Sequence, residues 1–560
     1  MKFYLQLTRV ALLVLLGQLL CSGVNLKNGN FYISYTDVEI PKKLGALSDM
    51  TRTYNSKSVE IGLFGYGWGT LIESHLYNYP DGTIVIAEHG SGGKTVFTSP
   101  FSTVDMLDLM IDRLIEVGIQ EGSIENTPNA LLSKRDEYLN DLELRLKHWD
   151  NFVKKNLLDY AFELPTGAEW ESFQRGNERI IKTDQGYQRI KSSRIDDFNA
   201  EGQLIKIDEK NGNWTSLDYT QGNLSAITNA DGTGIKLTTN ADGFITSITN
   251  NGKTAIFRYE DKNLVYARDI AGNAYAYAYD DNHNMVKITY NPDRDQNTPE
   301  DSMLMEYEPK TGFLSKITDR NGETTSYQYT KFFREDGSLD DFHYGTTVIK
   351  EGYDGRPVSN VYEYFIGVKG NGEDYTQKII TMINGISTTT LYDELCALPV
   401  EINRGANVTR FKYNNRCLLL EKTTPYDSIT MQYHPDFEKM TYVKNSSGEY
   451  HFEYDDKANL TYVSKNDGTW ARLEYDDRGK ISTMTQEKKA LEFSYNDRGK
   501  PSKILLKTEE TTGSINVTYD EYGEIISVKS EEGSTMALEV TQAFQQLLSL
   551  VKPAGVNLNM

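Results

Sequence analysis

The sequence predicts a mainly β protein: one long repeat-built sheet, wound as a hollow shell or solenoid, with a small α-helical hairpin insertion and a C-terminal helix. Three observations predict it. The first is a tyrosine that returns at a nearly fixed interval. Tyr219, Tyr259 and Tyr279 lie 40 and 20 residues apart with Thr239 in register between the first two, and Tyr392, Tyr413, Tyr433, Tyr454, Tyr475 and Tyr495 follow at steps of 21, 20, 21, 21 and 20. A period of this size marks stacked supersecondary units, none able to bury its apolar face alone. The second is the content of each unit: Phe452 and Tyr454 alternate with polar neighbours before Asp455 and Asp456, and a second β-prone run follows from Leu460 to Val463. That is a hairpin signature, and Gly479 and Gly499 in the next units supply the positive φ that a tight reversal needs. The third is composition, with 11% aromatic residues, 44 Gly and only 14 Pro spread over 560 residues without a linker.

In chain order, residues 1–23 read as a secretory signal peptide, with Lys2 and Arg9 before an apolar run too short to span a bilayer and small residues at Cys21 and Gly23. Lipoprotein anchoring at Cys21 is the weaker alternative, because Leu20 is bulky where such a signal has a small residue. Residues 24–102 form an N-terminal β region. Residues 103–158 are the inserted helical hairpin: apolar positions over 104–117 and 131–157, clearest in Leu139, Leu142, Leu146, Trp149 and Val153, follow helical spacing. Packing on the β body is the expected role, a protruding arm the alternative. A β connector over 159–195 leads into repeats over 196–535, about fourteen units in all.

Within the repeats, Leu460 and Val463, Ile481 and Met484, and Met285 and Ile288 are spaced by three. Strict alternation would send such pairs to opposite faces. The runs are too short for helices, so strands with a bulge or two-sided burial are expected. Between about 291 and 391 the register slips, and irregular repeats with extended loops are expected. Residues 536–560 are a capping helix and tail, with Phe544, Leu547, Leu548 and Val551 at helical spacing and Pro553 and Gly555 as stops.

These units resemble the YD repeats of the RHS family, which includes bacterial Rhs proteins, the shell components of insecticidal Tc toxins and the teneurin YD shell. The match covers about 198–528. A second resemblance lies in the segments Asn28-Gly29-Asn30-Phe31, Arg52-Thr53-Tyr54-Asn55-Ser56 and Phe64-Gly65-Tyr66-Gly67-Trp68, which look like the entry region preceding YD repeats in bacterial Rhs proteins. The resemblance implies a YD-repeat spiral β-sheet around a lumen, often with an enclosed cargo domain, in an exported setting. Toxin-bearing members end in a core motif rich in Asp-Pro and Gly and a toxic domain; the residues after Val528 match neither.

Charge narrows the partners. With 59 basic and 80 acidic residues the net charge is -21, and mean hydropathy is -0.54. Such a body repels phosphate backbones and anionic lipid heads, so nucleic acid is not an expected partner and the acid serves solubility. Cys396 and Cys417 each follow a repeat tyrosine by four residues. Equivalent positions in successive hairpins would sit about 10 Å apart, beyond the ~7 Å disulfide limit, so two free or buried thiols are expected, with a bridge across bent turns as the alternative.

Chemistry-bearing motifs are sparse. His75, His89, His148, His283, His343, His434 and His451 are scattered without metal-ligand spacing. Tandem acids at Asp280-Asp281, Asp455-Asp456 and Asp476-Asp477 recur at one turn position, which argues for turn chemistry over a glycosidase or calcium site. Ser91-Gly92-Gly93-Lys94 reads as a hairpin turn and not a phosphate loop, and no serine stands in a nucleophile elbow. The expectation is therefore no catalytic, cofactor or metal site, an unassigned ligand site, and an exported (secreted, periplasmic or surface) structural or binding protein with a possible carbohydrate or protein partner. No transmembrane segment is expected in the mature chain, and the sequence leaves the oligomeric state open. A shell for a separately encoded toxin is the first alternative and a polysaccharide-acting enzyme the second.

Overall fold

A computed structural model describes residues 22–39, 49–88, 90, 93–98, 103–160, 164–172, 178–191, 194–209, 213–230, 232–293, 300–351, 356–369, 374–477, 479–496, 500–519 and 525–551. The expected signal lies outside these except for Ser22 and Gly23, which open the first strand; Cys21, His89, Pro553 and Gly555 also lie outside.

Among the described residues, 33 strands from Glu169–Ser172 to Ile525–Lys529 form a single sheet in which every neighbour in space is the neighbour in sequence. All its pairings are antiparallel, as short hairpin turns require. Smaller sheets precede it. Four strands, Ser22–Asn25, Asn30–Glu39, Asp49–Asn55 and Trp68–Thr70, form one; a short hairpin, Ile61–Gly62 with Gly65–Tyr66, forms another; His75–Asn78, Ile84–Glu88 and Gly93–Phe97 form a third. In Asp49–Asn55 the strict alternation turns Met50, Arg52 and Tyr54 inward.

The spacing of three is explained by a bulge at every repeat. Phe452 pairs with Val463 and Glu453 with Tyr462, but Tyr454 pairs with Leu460, so Thr461 is the extra residue and both Leu460 and Val463 reach the core. The same shift recurs beside Tyr219, Tyr259, Tyr279, Tyr307, Tyr392, Tyr413, Tyr433, Tyr475, Tyr495 and Tyr519. The acid after the tyrosine closes the turn: Asp455 Oδ1 accepts from the backbone N–H groups of Lys457 and Asn459, and Asp280 does the same for Asn282 and Asn284.

Three expectations change. The ladder runs unbroken through 291–391, and what reads as extended loops is strand: Leu339–Glu351 and Pro357–Val368 are 13 and 12 residues long, among the longest in the sheet. Their Tyr, Thr, Val and Ile content favours a pleated surface, so the spacers lengthen the strands. The helical hairpin is three helices, α1 (Val104–Gln120), α2 (Pro128–Asn140) and α3 (Leu142–Lys154). Asp141 divides the second segment by accepting from Leu144 N as an N-cap, which leaves Leu139 exposed on α2. Cys396 and Cys417 form a disulfide with Cα atoms 5.4 Å apart. The 10 Å estimate holds for strand rungs; both cysteines sit in turns, at 393–398 and 414–418, that follow the bulges at Tyr392 and Tyr413, and there the chain bends free of the ladder spacing.

Apolar burial falls into three clusters. The N-terminal sheets pack Phe31, Tyr54, Phe64 and Trp68 against one face of the large sheet as far as Leu314. Met110, Ile111, Leu114, Leu146, Trp149 and Phe152 of α1 and α3 pack with Tyr79 and Val85, so the helices lie on the three-stranded sheet as expected. The final helix, α4 (Ser534–Val551), sets Val540, Ala543, Leu547, Leu550 and Val551 on the large sheet between Ile429 and Ile515. It packs on Thr512–Tyr519 in the last hairpin, and Val528 of the final strand lies against the same cluster, as expected of a helix covering the last repeat. No helix among the described residues is long and apolar enough to cross a membrane.

Candidate binding surface

The repeat tyrosines have one structural job. Their hydroxyls, Tyr392 excepted, donate to a backbone carbonyl one hairpin earlier, as does that of Tyr329: Tyr259 to Ile245 at 2.6 Å, Tyr329 to Leu314 at 2.6 Å, Tyr413 to Pro399, Tyr433 to Leu419, Tyr454 to Met440, Tyr475 to Leu460 and Tyr495 to Ile481, the last five all at 2.8 Å. Burial pushes the Tyr433 and Tyr495 phenols up to about 12. They stay neutral donors stapling successive hairpins.

The N-terminal motifs dock their module on the sheet. Tyr54 Oη donates to His283 O and accepts from Met285 N, Trp68 Nε1 donates to Tyr279 Oη at 3.0 Å, and Phe64 meets Phe257 edge-on. Arg52 is fully buried, paired to Asp37 at 2.7 Å, bonded to Tyr277 Oη at 2.9 Å, and flanked by the rings of Tyr35 and Trp68. Desolvation lowers its proton affinity, but the Asp37 charge and the Tyr277 bond outweigh that and hold the guanidinium charged.

These contacts, with α4 at the other end, cover the inward face at both ends and leave its middle open. The face is traced by register. Ile317 of the first cluster lies opposite Thr325; from there the same-face rungs run Tyr327–Val348, Tyr329–Thr346–Tyr362–Thr381–Thr388–Arg404 and Lys331–Tyr344–Tyr364–Ile379–Thr390–Ile402, then Phe411–Lys422–Ile429, where the second cluster begins. Over this span Tyr327, Tyr344, Tyr362, Tyr364, Ile379, Ile402 and Phe411 are half-buried, whereas Ile317's neighbour Leu314 at one end and Val443 at the other are fully buried. Val358, Ile383 and Ile386 on the same face are exposed by 40% or more. Tyr344 and Tyr364 stack with centroids 5.2 Å apart, and burial, seconded by Tyr362, pushes the Tyr327 and Tyr364 phenols up to about 12. The wall is aromatic and continuous with both cores.

The outward face of the same strands is different. His343 is sandwiched between Phe332 and Phe365 and bonds Glu363 at 2.6 Å, Lys378 sits 3.6 Å over the Phe365 ring, Arg410 pairs with Glu401 at 2.9 Å and Lys412 with Glu421 at 2.6 Å. The other histidines serve local contacts: His148 with Tyr138, His283 with Asn263, and His434 with the backbone of its own turn. Among the described residues no three His, Cys, Asp or Glu side chains gather as metal ligands. The inward span was not legible as a site, because the register slips there and nothing in the sequence says which strands another layer covers.

A family model described as a domain of unknown function (DUF6531) matches residues 22–94, the N-terminal module. No curated protein matches the chain. Similar solved structures include the TcdB2-TccC3-TEV crystal structure, at 9% identity and TM-score 0.41 over 96% of this chain and 29% of that one. The TcdB2-TccC3-Cdc42 crystal structure is similar at 9% identity and TM-score 0.39, over 63% and 22% of the two chains. A Photorhabdus luminescens Tc holotoxin pore follows at 9% and 0.36, over 90% and 29%. The chain thus spans less than a third of the length of each of these chains.

Proposed function

We propose that this chain is an exported RHS/YD-repeat protein that works as a structural and binding module without catalytic chemistry of its own, its open inward span receiving a polypeptide partner. One observation carries the reading: the chain covers its own inward face at both ends and leaves an apolar, aromatic stretch of it bare between. Uncovered apolar surface of this extent, continuous with a core, is what partner sites look like. The Cys396–Cys417 bridge supports export, since disulfides persist in oxidising compartments. The same bare face favours the second reading, a shell for a separately encoded cargo, more than a carbohydrate adhesin, because exposed Val358, Ile383 and Ile386 suit apolar side chains better than a hydrated sugar.

A photo-crosslinking residue at inward Tyr362, with outward Glu363 as control, tests this in the exporting cell. A discrete polypeptide adduct from position 362 alone is expected. Adducts from neither position, or hydrolysis of a polysaccharide panel that one acid substitution abolishes, would overturn it.

A further inference from the structure

The bare inward span carries more basic than acidic side chains. On the continuous ladder over residues 325–422, the inward rungs carry Lys331, Lys350, Arg404 and Lys422. The acid the described ladder places on this face, Asp374, stands at a hairpin tip opposite Val368. Lys331, Lys350 and Arg404 are exposed and Lys422 half-buried, and among the described residues none of the four forms an ion pair. Lys27 of the N-terminal module adds a fifth cation at the margin, 6.0 Å over the Tyr344 ring, where Leu26 O accepts from Thr346 Oγ1. Three acids of these strands, Glu363, Glu401 and Glu421, point outward, each already bonded to His343, Arg410 or Lys412. This segregation runs against the composition, since the whole chain carries -21.

Unpaired cations beside half-exposed rings and aliphatic side chains want a partner with acid to match the charge and apolar groups to cover the rest. We infer that the span binds an acidic polypeptide segment in extended form, with carboxylates set among apolar side chains; this rests on the partner-binding reading above. Val358, Ile383, Ile386, Ile402 and Phe411 decide between acidic polymers, because a hydrated polysaccharide would leave them in water while aliphatic side chains would cover them. Eight strands at ~4.8 Å make the span about 34 Å wide, the length of roughly ten extended residues. The chain's overall negative charge does not forbid this, because at physiological salt fields fade over about 8 Å and the cations facing the ligand dominate locally.

The test uses the full chain and three labelled peptides of about ten residues alternating Val with Glu, Gln or Lys, read by fluorescence anisotropy. The Glu peptide is expected to bind on the order of tenfold tighter than the Gln peptide at low salt, with the advantage fading as salt rises. In the K331E/K350E/R404E/K422E variant, with melting measured alongside to confirm an intact fold, preference is expected to pass to the Lys peptide. Equal binding of all three peptides, or a Glu preference the variant keeps, overturns the charge assignment while leaving the partner-binding reading standing. Failure of every peptide to bind sinks that reading too, and tight binding of polygalacturonate without the Glu peptide moves the site to acidic polysaccharide.

Discussion

Glu73 shows how a single residue couples the docking module to pH. Its carboxylate accepts from Leu63 N and, at 2.8 Å, from Thr70 N. It lies beneath Gly62 and Gly90, where an added Cβ would strike it. Leu63 in turn gives its carbonyl to Ile245 N on the large sheet, so the acid props up the loop that docks there. Among the described residues no cation acts on it, and burial pushes the carboxyl from 4.5 up to about 8 against the pull of the two N–H groups. A carboxyl raised on folding favours the folded state fully only below its unfolded value. Stability should therefore fall as pH rises from about 4.5 to about 8 and level off beyond. The residue keeps some exposure, which screens the loss to something on the order of 1–3 kcal/mol. Glu73→Gln keeps an acceptor without a charge to bury and is expected to flatten the profile; denaturant unfolding at stepped pH would show it, and parallel profiles for the two proteins would exclude Glu73 as the cause.

At the scale of elements, the Cys396–Cys417 bridge ties the turns of successive hairpins across 21 residues, beside the part of the sheet that neither cluster covers. Closing a loop of that length is worth about 3 kcal/mol through the unfolded chain. The paired Cys396→Ser/Cys417→Ser protein should lose that much, and reductant should bring the parent to the same melting point; if reductant leaves the parent unmoved, the bridge contributes nothing. Hairpin units were legible in the sequence because tyrosine, acid and glycine recur at fixed offsets, and the bulge was legible because Leu460 and Val463 had to share a face. The bridge was not, because rung spacing was applied to turns that have left the rungs. The break at Asp141 was missed because the apolar period runs on through Leu139 and Leu142, and only the capping side chain stops it. The bare span was missed because burial depends on what folds back over a strand: Tyr362 and Tyr450 look alike in sequence, yet one is half-exposed and the other nearly covered.

Taken whole, the chain is a sheet in which each strand touches mainly its sequence neighbours, so its stability is close to a sum of local terms. Those terms are uneven. The first stretch is anchored by the N-terminal module through Tyr54, Phe64 and Trp68, the last by Leu547 and Leu550 of α4, and the strands over 324–423 have hydrogen-bonded neighbours while the N-terminal module reaches only their margin, at Tyr344 and Thr346. Local opening follows burial more than hydrogen bonding, since an uncovered ladder exchanges its partners with water at little cost. Amide hydrogen exchange should therefore be fastest among the strand residues in 324–423 and slowest near Ile248, Ile288, Val443 and Val463, with both ends staying protected while the middle opens. The middle is also where the strands are longest, so rapid exchange there would mark a surface whose covering layer comes from elsewhere. A bound partner should slow it selectively, because only ligands that prefer the ordered face can shift that equilibrium. Uniform protection from Glu169 to Lys529 in the free protein would contradict this division, and would mean that strand pairing alone holds the span rigid.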